Sequence, residues 1–260
     1  MRFLYDIPTP VLAVLLFTAM VAAIEGSRRM GRLLDAENWP QSKDAFITTT
    51  RAMLALLGLL LAFSFSMSAI RHEARRTLVL KEANSVVSAF LRADLLAPTA
   101  RDQMQELLRS YAALRLRYFE VGHNEAEERR VIEETQSVQS RIWVLAAGAE
   151  NYREPRATGL SVLVSAIDEL IGISRDRHAS RANRVPEPVL WMLFVVAMVS
   201  SAALGYSFGA SKHNGRIFSF SFAFLVCLVV YIVLDFDRPR RGVMKVDQTP
   251  LIELQSALLH

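Results

Sequence analysis

Hydrophobic and polar positions are segregated along this chain. Four apolar runs stand out, at about 10–25, 52–70, 189–210 and 217–234. The last three hold about 18–22 residues, contain no Lys, Arg, Asp or Glu, and are long enough to cross a bilayer as helices. The first is shorter, but Phe3, Leu4 and Ile7 extend it. Small residues near Met20–Ala23 raise the alternative of a cleaved leader. The single Arg2, with Asp6, Pro8 and Pro10 ahead of the apolar core, argues for a span instead. The loop "SKHNGR" after the third run supplies an Asn214-Gly215 turn, which predicts that runs three and four are antiparallel neighbours. The loop of the first hairpin reads as longer, over 26–44, with Trp39 and Pro40 in an interfacial segment.

Between the hairpins the pattern is helical and polar. Pro98-Thr99 with Asp102 opens one helix, whose stripe is Met104, Leu107, Leu108, Tyr111, Leu114 and Tyr118. Asn124 with Glu127 three residues on is a capping signature. The helix it opens repeats Val131, Thr135, Val138, Ile142, Leu145 and Ala149. A further helix runs from Pro155 through Leu160, Leu163, Val164, Ile167, Leu170 and Ile171. No strand alternation, Gly-rich phosphate loop or low-complexity tract interrupts them. The predicted fold is an all-α membrane protein: four transmembrane helices in two hairpins flanking a cytoplasmic helical bundle. Residues 1–70 form the first hairpin, 71–187 a bundle continuous with the second and third spans, 188–236 the second hairpin and 237–260 a C-terminal tail.

Charge adds orientation. The net charge is only +4, but its placement matters more than its sum. Four spans put both termini and the middle on one side, where Arg2, Arg71, Arg75, Arg76, Arg175, Arg177, Arg181, Arg184, Arg238, Arg240, Arg241 and Lys245 flank the membrane. The opposite loops carry Arg28, Arg29, Arg32, Lys43, Arg51, Lys212 and Arg216, so the positive-inside bias favours a cytoplasmic middle. The basic run "RDRHASRANR" abuts the third span. Anionic headgroups, at about 1 kcal/mol per basic residue, explain it better than nucleic acid does.

Catalytic chemistry finds no foothold. The lone Cys227 sits inside the fourth run, excluding an intramolecular disulfide. His72-Glu73 lacks a second histidine four residues on, and His123, His178, His213 and His260 are scattered. No Gly-x-Ser-x-Gly setting exists. The expectation is a non-enzyme with no metal and no cofactor.

Two patterns in the spans carry more. Ala197, Ser201, Gly205 and Gly209 recur every fourth residue, as helices in close backbone contact require. Packing on the first or fourth span of the same chain is the simpler account, a subunit interface the other. The second pattern is "LLLAFSFSMSAIRHEARR" (59–76). At about 100° per residue, Ser64 and Ser68 share a face that continues to Arg71, Arg75 and Glu82, and upward to Leu57, Leu60 and Leu61; Ser66 points almost opposite. Beside that face runs an apolar stripe of Leu56, Phe63, Met67 and Ile70, with Gly58, Ala62, Phe65 and Ala69 on the far side. Two readings stand. The hydroxyl-to-arginine face lines an aqueous passage, or the serines bond carbonyls and the arginines snorkel to headgroups. Periodicity alone favours the second.

The stretches 59–96 and "YIVLDFDRPRRGVMKVDQTPLIEL" (231–254) resemble the bacterial bestrophin-like family, a domain named for its likeness to bestrophin channels. That resemblance implies a multi-pass bacterial inner-membrane protein and a homo-oligomeric ion channel, pentameric by analogy. Its termini would be cytoplasmic, and its second span would line the pore. It implies a neck at Phe63, Met67 and Ile70, with Leu60, Ser64 and Ser68 also lining the pore. Arg71, Arg75 and Glu82 would form charged rings at the mouth, with a lean towards anions. The partners implied are lipid, inorganic ions and further copies of the chain, not nucleic acid. After the fourth span the family-like motif is Asp235, Asp237, Arg238, Pro239, Arg240, Arg241 and Gly242. Two aspartates followed at once by arginines do not support the calcium site of animal bestrophins. A carboxylate at a helix C-terminus opposes the dipole, so salt bridges to the adjacent arginines are expected. The competing function is a non-conducting membrane scaffold or sensor whose bundle binds a protein partner.

Overall fold

The computed structural model describes residues 7–34, 39–121, 124–150, 157–182, 185–211, 215–238, 244 and 246–259. The helices are α1 (Thr9–Leu34), α2 (Trp39–Arg92), α3 (Pro98–Glu120), α4 (Glu125–Glu150), α5 (Ala157–Ala182), α6 (Glu187–Ala210), α7 (Arg216–Phe236) and α8 (Thr249–Leu259), with a 3-10 turn at Ala93–Leu95. No strand occurs among the described residues. Helices α1, α2, α6 and α7 are long and apolar enough to cross a membrane. The chain divides into two units, residues 1–71 with 184–238 and residues 72–183 with 239–260.

One boundary differs from the sequence reading. The long first loop is mostly helix: α1 continues to Leu34 and α2 begins at Trp39. Only glycines interrupt 26–34, and a helix tolerates them at roughly 1 kcal/mol each. Gly31 has a reason to be there, since a Cβ at that position would lie 2.7 Å from the Tyr206 carbonyl oxygen. Helix α2 runs from the second span into the bundle without a break. Helix α5 ends at Ala182 and α6 starts at Glu187. Pro186, with ψ 130° at the N-cap, biases the residue before it away from helix and ends the run.

The first unit is organised by the small residues of α6. A Cβ added at Gly205 would lie 2.2 Å from the Ile24 carbonyl oxygen, and one at Gly209 would lie 2.2 Å from that of Arg28. Gly205 and Gly209 of the stripe therefore sit on α1 of the same chain, backbone against backbone, and Ala197 and Ser201 are buried on the same helix. Buried around this contact are Leu12, Leu16, Met20 and Ile24 of α1, Leu57 of α2, Leu190 and Leu193 of α6, and Val226 and Val230 of α7.

The second unit is a bundle of α3, α4, α5 and α8 with α2 from His72 onward. Its core joins Val79, Val86 and Ala89 of α2 to Met104, Leu108 and Tyr111 of α3, Ile142 and Ala146 of α4, and Leu163, Ile167 and Leu170 of α5. Asn124 caps α4 through its Oδ1, which accepts the Glu127 amide at 3.2 Å, as the spacing predicts. The segment read as a tail contributes Leu251, Leu254 and Leu258 to this core. Arg109 Nε donates to the Leu258 carbonyl at 2.7 Å, satisfying one of the carbonyls that the end of α8 leaves open.

Replacing Gly205 by alanine must push α1 off α6, and overpacking of this kind costs about 1–3 kcal/mol. At Gly58, by contrast, an added Cβ would meet nothing within 4 Å. Thermal unfolding in detergent should therefore show a clear loss for Gly205→Ala and none for Gly58→Ala.

Candidate functional site

The hydroxyl-to-arginine face of α2 is interior. Ser64 is 1% exposed and Ser68 fully enclosed, and Leu57, Arg75 and Glu82 on the same face are buried. Leu60 and Met67 pack partly buried against the first unit's core, and Arg71 is half-buried. Within a single chain, Ser64 and Ser68, expected to face a passage, and Arg75 and Glu82, expected at its mouth, are enclosed by protein. Three of the four have a polar partner within the protein. Ser68 Oγ donates at 2.7 Å to the Val233 carbonyl, one of the last four of α7, which have no partner within their own helix. Arg75 Nε donates to the Ser180 carbonyl at 3.4 Å. Ser64 Oγ is buried without a hydrogen bond among the described residues.

Glu82 anchors an ionic cluster inside the second unit. Its carboxylate takes Arg115 Nε at 2.7 Å and Arg115 Nη2 at 3.2 Å, Arg177 Nη1 and the Tyr111 hydroxyl. The guanidinium of Arg177 lies over the Phe119 ring, 5.2 Å from its centroid, and Nη2 reaches Gln248 Oε1 at 3.5 Å. Helices α2, α3 and α5 and the approach to α8 thus meet at one carboxylate. Burial alone would raise the Glu82 pKa, but the charges of Arg115 and Arg177 and the Tyr111 hydroxyl outweigh it and hold the carboxyl below its ordinary value. Burial and the adjacent Glu82 charge push the Tyr111 hydroxyl up, so it stays a donor. No spacing rule in the sequence brings these residues together.

The outward face of α2 is the other candidate surface. Leu59, Phe63, Ser66, Ile70, Glu73, Thr77, Leu80, Asn84, Val87 and Leu91 are all exposed, Phe63 at 62% and Ile70 at 67%. They alternate steps of four and three, the 3.5-residue period of a seam between helices. Phe63 and Ile70 of the expected neck lie on this seam, while Met67 turns partly inward. Ser66, set apart in the sequence reading as pointing away, is the serine that belongs with them.

In the motif after the fourth span, Asp237 and Arg238 hydrogen-bond to main chain. Asp235 and Asp237 are buried. Asp237 Oδ2 accepts the Val185 amide at 2.8 Å, just ahead of α6, where a carboxylate meets the favourable end of that helix's dipole. Arg238 Nη2 donates to the Ile7 carbonyl ahead of α1. Pro239, Arg240, Arg241 and Gly242 lie outside the described residues. Among the described residues no group of three His, Cys, Asp or Glu side chains is arranged to hold a metal.

Removing one partner of a buried ion pair leaves the others uncompensated, at about 3–5 kcal/mol, so Glu82→Gln should lower the unfolding temperature markedly. The folded pKa of Glu82 is depressed. Its stabilisation is therefore complete above the unfolded value of about 4.3 and is lost as pH falls through the folded value. Melting curves in detergent should show the gap between wild type and Glu82→Gln wide at neutral pH and closing only under acid conditions.

A model of the bestrophin-like domain matches residues 13–251. No curated protein sequence matches the chain. Two structures of mutated forms of a bacterial bestrophin homologue from Klebsiella pneumoniae share its fold. One has TM-score 0.62 and 13% identity over 100% of both chains. The other has TM-score 0.61 and 14% identity over 100% of this chain and 98% of that one. A crystal structure described as a membrane protein is similar at TM-score 0.62 and 14% identity, covering 96% of this chain and 97% of that one. With the family's domain spanning nearly the whole sequence and its helices in the bestrophin arrangement, this membrane protein belongs to the bestrophin-like family.

Proposed function

We propose that the chain is a subunit of a homo-oligomeric ion channel in the bacterial inner membrane, with the outward face of α2 turned towards a central axis. The observation that carries this reading is the unpartnered seam from Leu59 to Leu91. Within the hydrocarbon, exposed apolar residues are ordinary because lipid covers them. Leu80, Val87 and Leu91 lie past the uncharged apolar run that ends at Ile70 and are exposed at 49%, 40% and 64%. Covering a side chain of this kind fully is worth about 1.5–3 kcal/mol. A surface that keeps one 3.5-residue period from lipid into water is matched by copies of itself around an axis. Five copies are proposed by family likeness, with the bundle and both termini on the cytoplasmic side. Phe63 and Ile70 then form the hydrophobic neck, with Ser66 between them, in a constriction that passes ions only when wetted.

A second reading has one observation in its favour. The bundle holds an open cleft of about 1390 Å³ whose walls include Leu95, Gln103, Ser110, Ser140, Arg141 and Leu160, room for a partner of a non-conducting scaffold. Cross-linking in detergent separates the two: a closed ring supports the channel, a monomer or dimer the scaffold.

The purified protein in planar bilayers should pass current, and Phe63→Ala should raise it several-fold by widening the neck. In a Cys227→Ala background, a cysteine at position 66 should react with a water-soluble thiol reagent in intact membranes, whereas Ser64→Cys and Ser68→Cys should not. Bilayers silent across pH, voltage and calcium would defeat the channel reading.

A further inference from the structure

We infer that the end of α1 and the start of α7 form a binding site for the headgroup of an anionic phospholipid, with Arg29, Arg32 and Arg216 holding its phosphate. The inference goes beyond the channel reading and does not depend on it, nor on which side of the membrane these helix ends face.

The site is organised by one carboxylate. Glu25 Oε1 accepts Arg28 Nη2 at 2.6 Å and pairs with Arg216 Nη2 at 3.3 Å, so the start of α7 lies against the last turns of α1. Arg28 is buried, and the close approaches at Gly209 and Gly31 fix this length of α1 on α6. Arg29 and Arg32 follow Glu25 by four and seven residues, which at about 100° per residue puts all three on one face. Both arginines are exposed, and among the described residues neither has an ion pair. Arg28, Arg29, Arg32 and Arg216 thus stand around a single carboxylate. Asp44, the other described acid at this end of the unit, is exposed beside Lys43 and pairs with none of them. Arg216 also opens α7, where the helix dipole disfavours a cation, so half a share in Glu25 leaves it under-compensated.

The surroundings select a lipid over a soluble anion. Met30 and Leu33 are exposed, Leu33 at 83%, and so are Ile217 and Phe218 beside Arg216. Met30 and Leu33 continue the exposed side of α1 that carries Ala22 and Gly26, so the apolar side runs to the end of the helix. Acyl chains cover that side, while the neighbouring flank presents guanidinium groups at the depth of the phosphates. A guanidinium offers paired N–H donors that match phosphate oxygens. The surplus of positive charge favours a phosphodiester whose headgroup carries no balancing ammonium.

Titrating the purified full-length protein in a non-ionic detergent tests the assignment, with phosphatidylglycerol, phosphatidylcholine and sodium phosphate as the probes. Bound lipid is read by native mass spectrometry and stability by melting temperature. Wild type should retain phosphatidylglycerol in preference to phosphatidylcholine. About 1 kcal/mol per basic residue corresponds to about five-fold in affinity, so Arg29→Gln with Arg32→Gln should weaken phosphatidylglycerol by roughly 25-fold. Phosphatidylcholine should be unaffected, and Lys81→Gln, on an exposed position of the bundle, should change neither lipid. Because Arg29 and Arg32 are exposed, the double variant should melt like wild type without added lipid, and Arg29→Gln alone gives the five-fold step if it does not. Equal retention of the two lipids, or a double variant that binds phosphatidylglycerol like wild type, overturns the site. Displacement of phosphatidylglycerol by millimolar phosphate overturns the lipid assignment in favour of a soluble anion. Currents in planar bilayers bear on the channel alone, so the two readings fail separately.

Discussion

The burial of the Glu82 carboxylate constrains this structure more than any other interaction. An ionised group out of water is tolerated only where opposite charge and hydrogen bonds replace its hydration. Here Arg115, Arg177 and Tyr111 supply both. To bring those partners in, α2 must present the Glu82 side of itself to α3 and α5. A helix has a single rotation along its length. Ser64, eighteen residues earlier, is in phase with Glu82 at about 100° per residue and is buried in the first unit. The remaining side of α2, with Phe63, Ser66, Ile70 and Glu73, faces out by subtraction.

Much of the architecture is readable in the sequence because it is encoded locally. The spans announce themselves by length and lack of charge. The start of α3 follows from Pro98 at its first turn, and that of α4 from Asn124. The small residues of α6 are periodic, although their partner is known only once Ile24 and Arg28 are seen against them. The rotation of α2 is not encoded locally. A polar residue in an apolar run faces either water or a buried partner, and periodicity treats both alike. The partners that decide the matter, Arg115 and Arg177, lie 33 and 95 positions from Glu82. The outward seam escaped for the opposite reason. Its period is regular, but Ser66, Glu73, Thr77 and Asn84 dilute its apolar character, so hydrophobicity does not mark it.

Helix ends tell a consistent story about polar groups. A backbone carbonyl or amide left without a partner away from water is costly, and the four-residue fringe at each helix end is where such groups gather. Side chains remote in sequence meet them here. Ser68 serves the end of α7, Asp237 the chain ahead of α6, Arg238 the chain ahead of α1 and Arg109 the end of α8. That explains why hydroxyl, acidic and basic residues sit close to the spans without implying a ligand. In Asp235-Phe-Asp237-Arg238, two of the three charged side chains are engaged with main chain.

The glycine contacts on α1 bear on how such a protein can move. Where Gly205 and Gly209 bring two backbones together, no side chain remains to swivel, and any sliding would drive a carbonyl into an α-carbon. Helices α1 and α6 therefore behave as one stiff plate. In the proposed channel, dilation of a central path would come from the helix seated on that plate by longer side chains, or from aromatic rings swinging at its surface, with the plate as the fixed wall against which they turn.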